Sequence, residues 1–271
     1  MTETERRDYV QSLERGLSVI TAFSQGHPQM NLSEVAAATG LSKPTARRLL
    51  LTLRELGYVR AEGTRYALTP KVLGLGYAYL SSLNITEVAQ PFMESLTEEL
   101  QEGTSLAALD DTDVVYVNRV QRHRITSISL AVGTRLPAHA TSMGHVLLAG
   151  LGPEALESYL AKAVLRPMTG RTLTTRAALE ERLRTVREQG WAAVDQELEV
   201  GRRSAAAPVR DANGRVIAAL ALSNSTADRT FDQLLSDYVP PLVRTAGHIS
   251  AALGGGSYRV RTPGPPPRTA G

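Results

Sequence analysis

Between Asn31 and Leu53 the chain spaces its small, apolar and capping residues in a way that few folds accept. Asn31 with Glu34 three residues on has the form of a capping box, opening a short helix through Val35, Ala36 and Ala38 that Thr39-Gly40 stops. Ser42 then caps a further helix, and Pro44 is tolerated in its first turn because the amide it lacks would have no partner there. The small Ala36 suits a close helix crossing and Gly40 a tight turn, while Leu41, Ala46, Leu49, Leu50 and Leu53 point inward. The spacing predicts a helix-turn-helix. An earlier helix, with Ser12 as N-cap and Leu13, Leu17, Ile20 and Phe23 at helical intervals, ends at Gln25-Gly26 and completes a three-helix core.

With that apolar set inside, the helix after Ser42 presents Ser42, Lys43, Thr45, Arg47, Arg48 and Thr52 outward. These side chains suit phosphates and base edges in a major groove. Tyr58 to Arg60 and Arg65 to Leu68 then alternate on either side of Ala61-Glu62-Gly63-Thr64, which predicts a β-hairpin. A hairpin directly behind a recognition helix is a wing, with Arg60 and Arg65 near its tip, placed to reach backbone phosphate. Net charge is only +3, but six basic residues stand against two acidic ones between Ser42 and Ala67. A double-stranded DNA operator is the expected partner. A basic face that is merely solvated, or a winged helix that docks another protein, are the competing readings.

Residues 1–69 therefore form the expected DNA-binding domain. Thr69-Pro70 begins a linker helix over 70–83, with Val72, Leu73, Tyr77 and Leu80 on one side and Gly74 and Gly76 weakening it. Asn84 or Thr86 caps a helix carrying Val88, Phe92, Leu96 and Leu100, and residues 84–253 make the larger domain, expected to bind an effector and to oligomerise. Strands are predicted from Thr104 to Leu109, Val114 to Val120 and Ile125 to Leu130. Helices follow at Ser142 to Leu151, Pro153 to Ala163 and Arg176 to Gln189. Strands return at Trp191 to Asp195, Ser204 to Val209 and Val216 to Leu222, the last two joined at Asn213-Gly214. A final helical region, Phe231 to Leu253, is expected to break at Pro240-Pro241. This order predicts an α+β domain with an antiparallel sheet and packed helices. The Gly/Pro-rich tail, 254–271, is expected to be disordered.

The chain has no cysteine, which excludes disulfides and thiolate metal sites. It lacks an apolar stretch long enough to span a membrane and a leader-like N-terminus, so a cytoplasmic protein is expected. His139 and His145 are six apart with no neighbouring carboxylate and do not fit a metal pair. No cofactor motif is present, and the nucleophile-elbow, phosphate-loop, dinucleotide and zinc-protease patterns are missing. The expectation is a non-enzyme. The competing reading is an acid-binding, hydrolase-like enzyme in which Asp195 near His139 does acid–base work.

Ser12-Leu-Glu-Arg-Gly-Leu-Ser-Val19, Gly40-Leu-Ser-Lys-Pro-Thr-Ala-Arg-Arg48, Leu56-Gly-Tyr58, Leu136-Pro-Ala-His-Ala-Thr-Ser-Met-Gly144 and Gly190-Trp191 with Asp195 together resemble the IclR family of transcriptional regulators over residues 9 to 253. Ala46 to Leu53 with Leu56-Gly-Tyr-Val59 is most similar to its PcaR/PcaU/PobR subgroup. That resemblance implies a GAF-like effector domain, a homodimer or homotetramer, and control of protocatechuate, 4-hydroxybenzoate or β-ketoadipate catabolism. It also implies a small carboxylic-acid effector bound by the loop His139, Thr141, Ser142, Met143 and Gly144 with Asp195, Ser204 and Ser223. The residues support an anion there, because a helix start offers unpaired amides and a positive dipole end. Arg135, just before the loop, is the candidate counter-charge, with a surface ion pair as its alternative. Thr141 has a plain helix cap as its alternative, Ser204 and Ser223 the satisfaction of strand-end backbone, and Asp195 a pairing with arginine.

Overall fold

The computed structural model describes residues 9–24, 26–75, 85–121 and 131–254, and its contacts divide the chain into two units, Met1–Ser82 and Leu83–Gly271. In the first, α1 (Gln11–Ala22), α2 (Leu32–Thr39) and α3 (Lys43–Glu55) enclose a core containing Val19, Val35, Ala46, Leu50 and Val59. The capping box forms as the spacing predicts. Asn31 Oδ1 accepts from the amides of Ser33 and Glu34 at 2.9 and 3.0 Å, and the Glu34 carboxylate accepts from the Asn31 amide at 2.7 Å. Gly40 then takes the left-handed φ of 66° that closes the turn, a conformation a β-carbon disfavours. Ser12 does not cap α1. The helix begins two residues earlier, at Gln11 behind Val10, so Ser12 already has helical backbone.

The wing is β2 (Val59–Glu62) and β3 (Arg65–Leu68), paired antiparallel. A two-residue strand, β1 (Met30–Asn31), pairs with the far edge of β3 and makes the sheet three-stranded. Sequence reasoning missed β1 because two residues carry no periodicity. Pro70–Val72 is a 3-10 turn. The predicted linker helix beyond residue 75, the strand Ile125 to Leu130 and the tail beyond residue 254 lie outside the described residues.

The second unit is built on a six-stranded antiparallel sheet in the order β6-β5-β4-β9-β8-β7. Its members are β4 (Thr104–Asp110), β5 (Asp113–Val120), β6 (Arg135–Pro137), β7 (Ala192–Asp195), β8 (Arg202–Arg210) and β9 (Val216–Ser225). Strand β6 is an addition to the expected set. The pleat separates two faces. On one, α4 (Ile85–Leu100) and α9 (Val239–Ala252) pack, tied by Thr104 to the Met93 carbonyl and by Ser250 to the Arg210 amide. On the other lies α5 (Ser142–Ala149), whose Met143, Val146 and Leu147 meet Ala107, Ala206, Ala219 and Ala221 of the sheet. Helices α6 (Pro153–Lys162) and α7 (Arg176–Gln189) cover α5 from outside through Tyr159, Leu179 and Leu183.

The expected break at Pro240-Pro241 is not present. Helix α8 (Phe231–Gln233) runs through a π turn, Leu234–Tyr238, into α9, whose first turn holds both prolines. The wider turn and the first-turn position remove the need for the amides that proline lacks, so the chain continues helical.

Candidate nucleic-acid interface and cavity

Burial along α3 divides it cleanly. Ala46, Leu50 and Leu53 are buried, whereas Ser42, Lys43, Arg47, Arg48 and Thr52 are exposed and Thr45 is half-buried. Ser42 Oγ accepts from the Thr45 amide at 3.4 Å and lies 2.9 Å from Thr45 Oγ1, while Thr52 Oγ1 donates back to the Arg48 carbonyl. Among the described residues no carboxylate pairs with Lys43, Arg47 or Arg48. Three exposed cations therefore stand on one helix, opposite its buried side.

The wing arginines differ from that picture. Arg60 lies 3.2 Å from Glu62, and Arg65 donates to the Gln29 carbonyl at 3.1 Å and stands 3.8 Å from Glu34. These exposed pairs are weak, about 0–1 kcal/mol each, so phosphate can compete for either guanidinium.

In the second unit a cavity of about 590 Å³ opens on the α5 face of the sheet. Thr141, Ser142 and Met143 line it at the start of α5, and Ser204 and Ser223 line it as a cross-strand pair on β8 and β9. Ser142 Oγ meets Ser204 Oγ at 2.8 Å. Thr141 is the N-cap, accepting from the Gly144 amide at 3.0 Å. Five of the nine expected residues thus converge.

The other four do not line the cavity. Arg135 is exposed on the edge strand β6 and donates to the carboxylates of Asp110 and Asp113 at 2.5 and 3.1 Å, the surface ion pair that was its alternative. Asp195 follows Val194, which does line the cavity, and the pleat turns it aside. Its carboxylate is held by Arg203 at 2.7 Å and by Arg171. Burial pushes Asp195 up, but the hydrogen bonds from Arg203 and Gln196 and the nearby charges hold it below the usual carboxylate range. His139 is buried, its Nε2–H donating to the Arg166 carbonyl at 3.0 Å. Gly144 serves packing: a β-carbon there would run into the Ala138 backbone.

His145, also buried, donates from Nε2 to the His139 carbonyl at 2.7 Å. Burial, together with the charge of Arg182, lowers its pKa to about 4, so it is neutral near pH 7.

Sequence reasoning missed three prominent lining residues, Tyr116, Arg119 and Arg202. The available signal was an arginine following Asn118 at the end of the apolar Val114 to Val117, and an Arg-Arg pair one residue before Ala205 to Val209.

The IclR helix-turn-helix domain profile matches residues 12–63, and that of the bacterial transcriptional regulator IclR C-terminal domain matches residues 77–251. The chain belongs to the IclR family. Among curated relatives, the Pca regulon regulatory protein of Pseudomonas putida is 40% identical over 92% of this chain and 86% of its own. The p-hydroxybenzoate hydroxylase transcriptional activator of Acinetobacter baylyi is 35% identical over 91% and 92%. Among solved structures, a transcriptional regulator from Rhodococcus sp. RHA1 is similar at 49% identity and TM-score 0.81, covering 90% of this chain and 98% of its own. An IclR homolog from Microbacterium hydrocarbonoxydans complexed with 4-hydroxybenzoate is similar at 28% identity and TM-score 0.79, covering 89% and 98%. This IclR-family chain is a DNA-binding transcriptional regulator, and the competing enzyme reading is set aside because the family and its relatives are regulators. Among the described residues no helix is long and apolar enough to cross a membrane.

Proposed function

We propose that residues 1–69 bind operator DNA through Lys43, Thr45, Arg47, Arg48 and Thr52 of α3, with Ser42 fixing the start of that helix and Arg60 and Arg65 adding wing contacts to phosphate. Residues 70–83 link this part to residues 84–253, which bind a small aromatic hydroxy acid and oligomerise, as a homodimer or homotetramer in the cytoplasm. The genes controlled are those of aromatic-acid catabolism. The observation that carries the DNA contact is that Lys43, Arg47 and Arg48, exposed and without a carboxylate partner among the described residues, stand opposite the buried Ala46, Leu50 and Leu53. The effector reading is supported by a cavity of about 590 Å³ carrying hydroxyls at Thr141, Ser142, Ser204 and Ser223, and by the 4-hydroxybenzoate bound to a related protein.

Two measurements test this. Arg47→Ala and Arg48→Ala should each weaken operator binding in a mobility-shift assay while leaving the melting temperature unchanged, and unaltered operator binding in both variants would remove the DNA assignment. Addition of 4-hydroxybenzoate or protocatechuate should raise the melting temperature by mass action. No rise with either acid would remove the effector assignment.

A further inference from the structure

Glu197 lines the cavity, yet its side chain is only 5% exposed. A carboxylate so placed is unfavourable unless a cation and hydrogen bonds accompany it. Arg182 supplies both. It reaches in from α7, donates to Glu197 Oε1 at 2.8 Å and to the Ala193 carbonyl at 3.4 Å, and does not itself line the cavity. Resting on the reading of this cavity as the effector site, we propose that Arg182 is a positioning residue acting through Glu197: by cancelling that charge it lets an anionic effector bind without uptake of a proton.

The neighbours of Glu197 leave this role to Arg182. His145 of α5 stands 3.9 Å from Oε2 and is the only other basic group so close among the described residues. It donates from Nε2 to the His139 carbonyl, and burial keeps it neutral near pH 7. His139 is itself engaged with the Arg166 carbonyl. Asp195 of β7 adds negative charge, although Arg203 and Arg171 hold it. Glu199 is substantially exposed and stands 3.9 Å from Arg202. Burial raises the Glu197 carboxyl; the charge and hydrogen bond of Arg182 oppose that, and the charge of Asp195 adds to it.

The backbone also keeps Glu197 in place. Thr172 Oγ1 donates to the Glu197 carbonyl at 2.5 Å and Thr169 Oγ1 to the Gln196 carbonyl at 2.6 Å, both from residues that do not line the cavity. Gln196 Oε1 accepts from the Gly201 amide at 3.0 Å, closing the turn from within. A carboxylate fixed there and deprived of its cation has two courses. It stays charged and repels an anion in the adjoining cavity, strongly because the surroundings are poorly solvated. Otherwise it takes up a proton together with His145, as a coupled pair. The first course weakens effector binding, and the second makes binding depend on pH.

The test uses the full chain in isothermal titration calorimetry with 4-hydroxybenzoate and its methyl ester, in buffers of different ionisation heat. Between about pH 6 and about pH 8 the effector carboxyl stays ionised, so the unsubstituted protein should bind the acid with nearly constant affinity and no net proton uptake. Arg182→Gln should bind the acid roughly tenfold or more weakly at the alkaline end, and recover toward the acid end with proton uptake. Its ester binding should match that of the unsubstituted protein. Arg182→Lys should keep the original profile, and Arg182→Gln combined with Glu197→Gln should regain the original affinity at every pH. A loss in Arg182→Gln that is equal for acid and ester and constant with pH is a packing effect and overturns the inference, as does unchanged acid binding. Net proton uptake by the unsubstituted protein overturns it as well, and that measurement needs no variant. No binding of the acid by the unsubstituted protein overturns the effector reading and this inference with it.

Discussion

The Ser142 hydroxyl touches the Ser204 hydroxyl at 2.8 Å, joining the first turn of α5 to strand β8 inside the cavity. Thr141 spends an acceptor lone pair on the helix cap, whereas the two serines bond only to each other among the described contacts and can turn toward a ligand. Ser204→Ala removes one hydroxyl and leaves the other its remaining valences. We expect binding of 4-hydroxybenzoate to weaken by about 1 kcal/mol, a single neutral hydrogen bond, with binding of benzoate unaffected. Calorimetry with the two acids checks this, and equal losses for both would count against the serine contact.

Gly144 sits where α5 crosses the backbone of Ala138. Gly144→Ala forces a methyl group into that carbonyl, and the core cannot yield on the backbone side. We expect a loss of about 2–3 kcal/mol from overpacking, seen as a lower midpoint in urea. A variant of unchanged stability would show that the crossing has slack.

The cap of α2 is equally local. Asn31→Ala removes the side chain that satisfies two first-turn amides, at a cost of about 1 kcal/mol. Hydrogen exchange should speed up at the amides of Ser33 and Glu34 before it does elsewhere in the unit.

On the wing, Arg65 is shared between Glu34 and the Gln29 carbonyl. Arg65→Ala should weaken binding to all DNA sequences alike and reduce the slope of log affinity against log salt by about 1. A change confined to the operator would mean that Arg65 reads bases.

His145 makes acid stability asymmetric. Its folded pKa of about 4 lies below the ordinary value of 6.5, so the unfolded chain takes up its proton first as pH falls. Stability from this residue is therefore complete above pH 6.5 and declines down to about pH 4. Glu197, raised by burial, acts in the opposite sense. The informative comparison is His145→Gln against the parent: the parent's melting temperature should fall more steeply across that window, and parallel curves would refute the account.

Much of the first unit was legible because its signals are local. Asn31, Glu34, Gly40 and Ser42 act on backbone within four residues of themselves, and the structure uses each as the spacing predicts. The second unit was legible in its element order but less so in its site. Arg135 is adjacent in sequence to the 139–144 loop, yet the β5–β6 pairing brings it to Asp110 and Asp113. Arg119 and Arg202 are far apart in sequence and on non-neighbouring strands, so only the three-dimensional path of the sheet brings them to one cavity. Sequence adjacency misled in one case and sequence distance concealed in the other.

Asn31 is at once the last residue of β1, opposite Arg65 of β3, and the N-cap of α2. The hairpin and the helix pair thus share a rivet and leave no hinge between them. With the helix and wing contacts proposed above, this unit would grip a duplex like a fixed caliper of constant span, and an operator whose half-site departs from that span would itself have to bend.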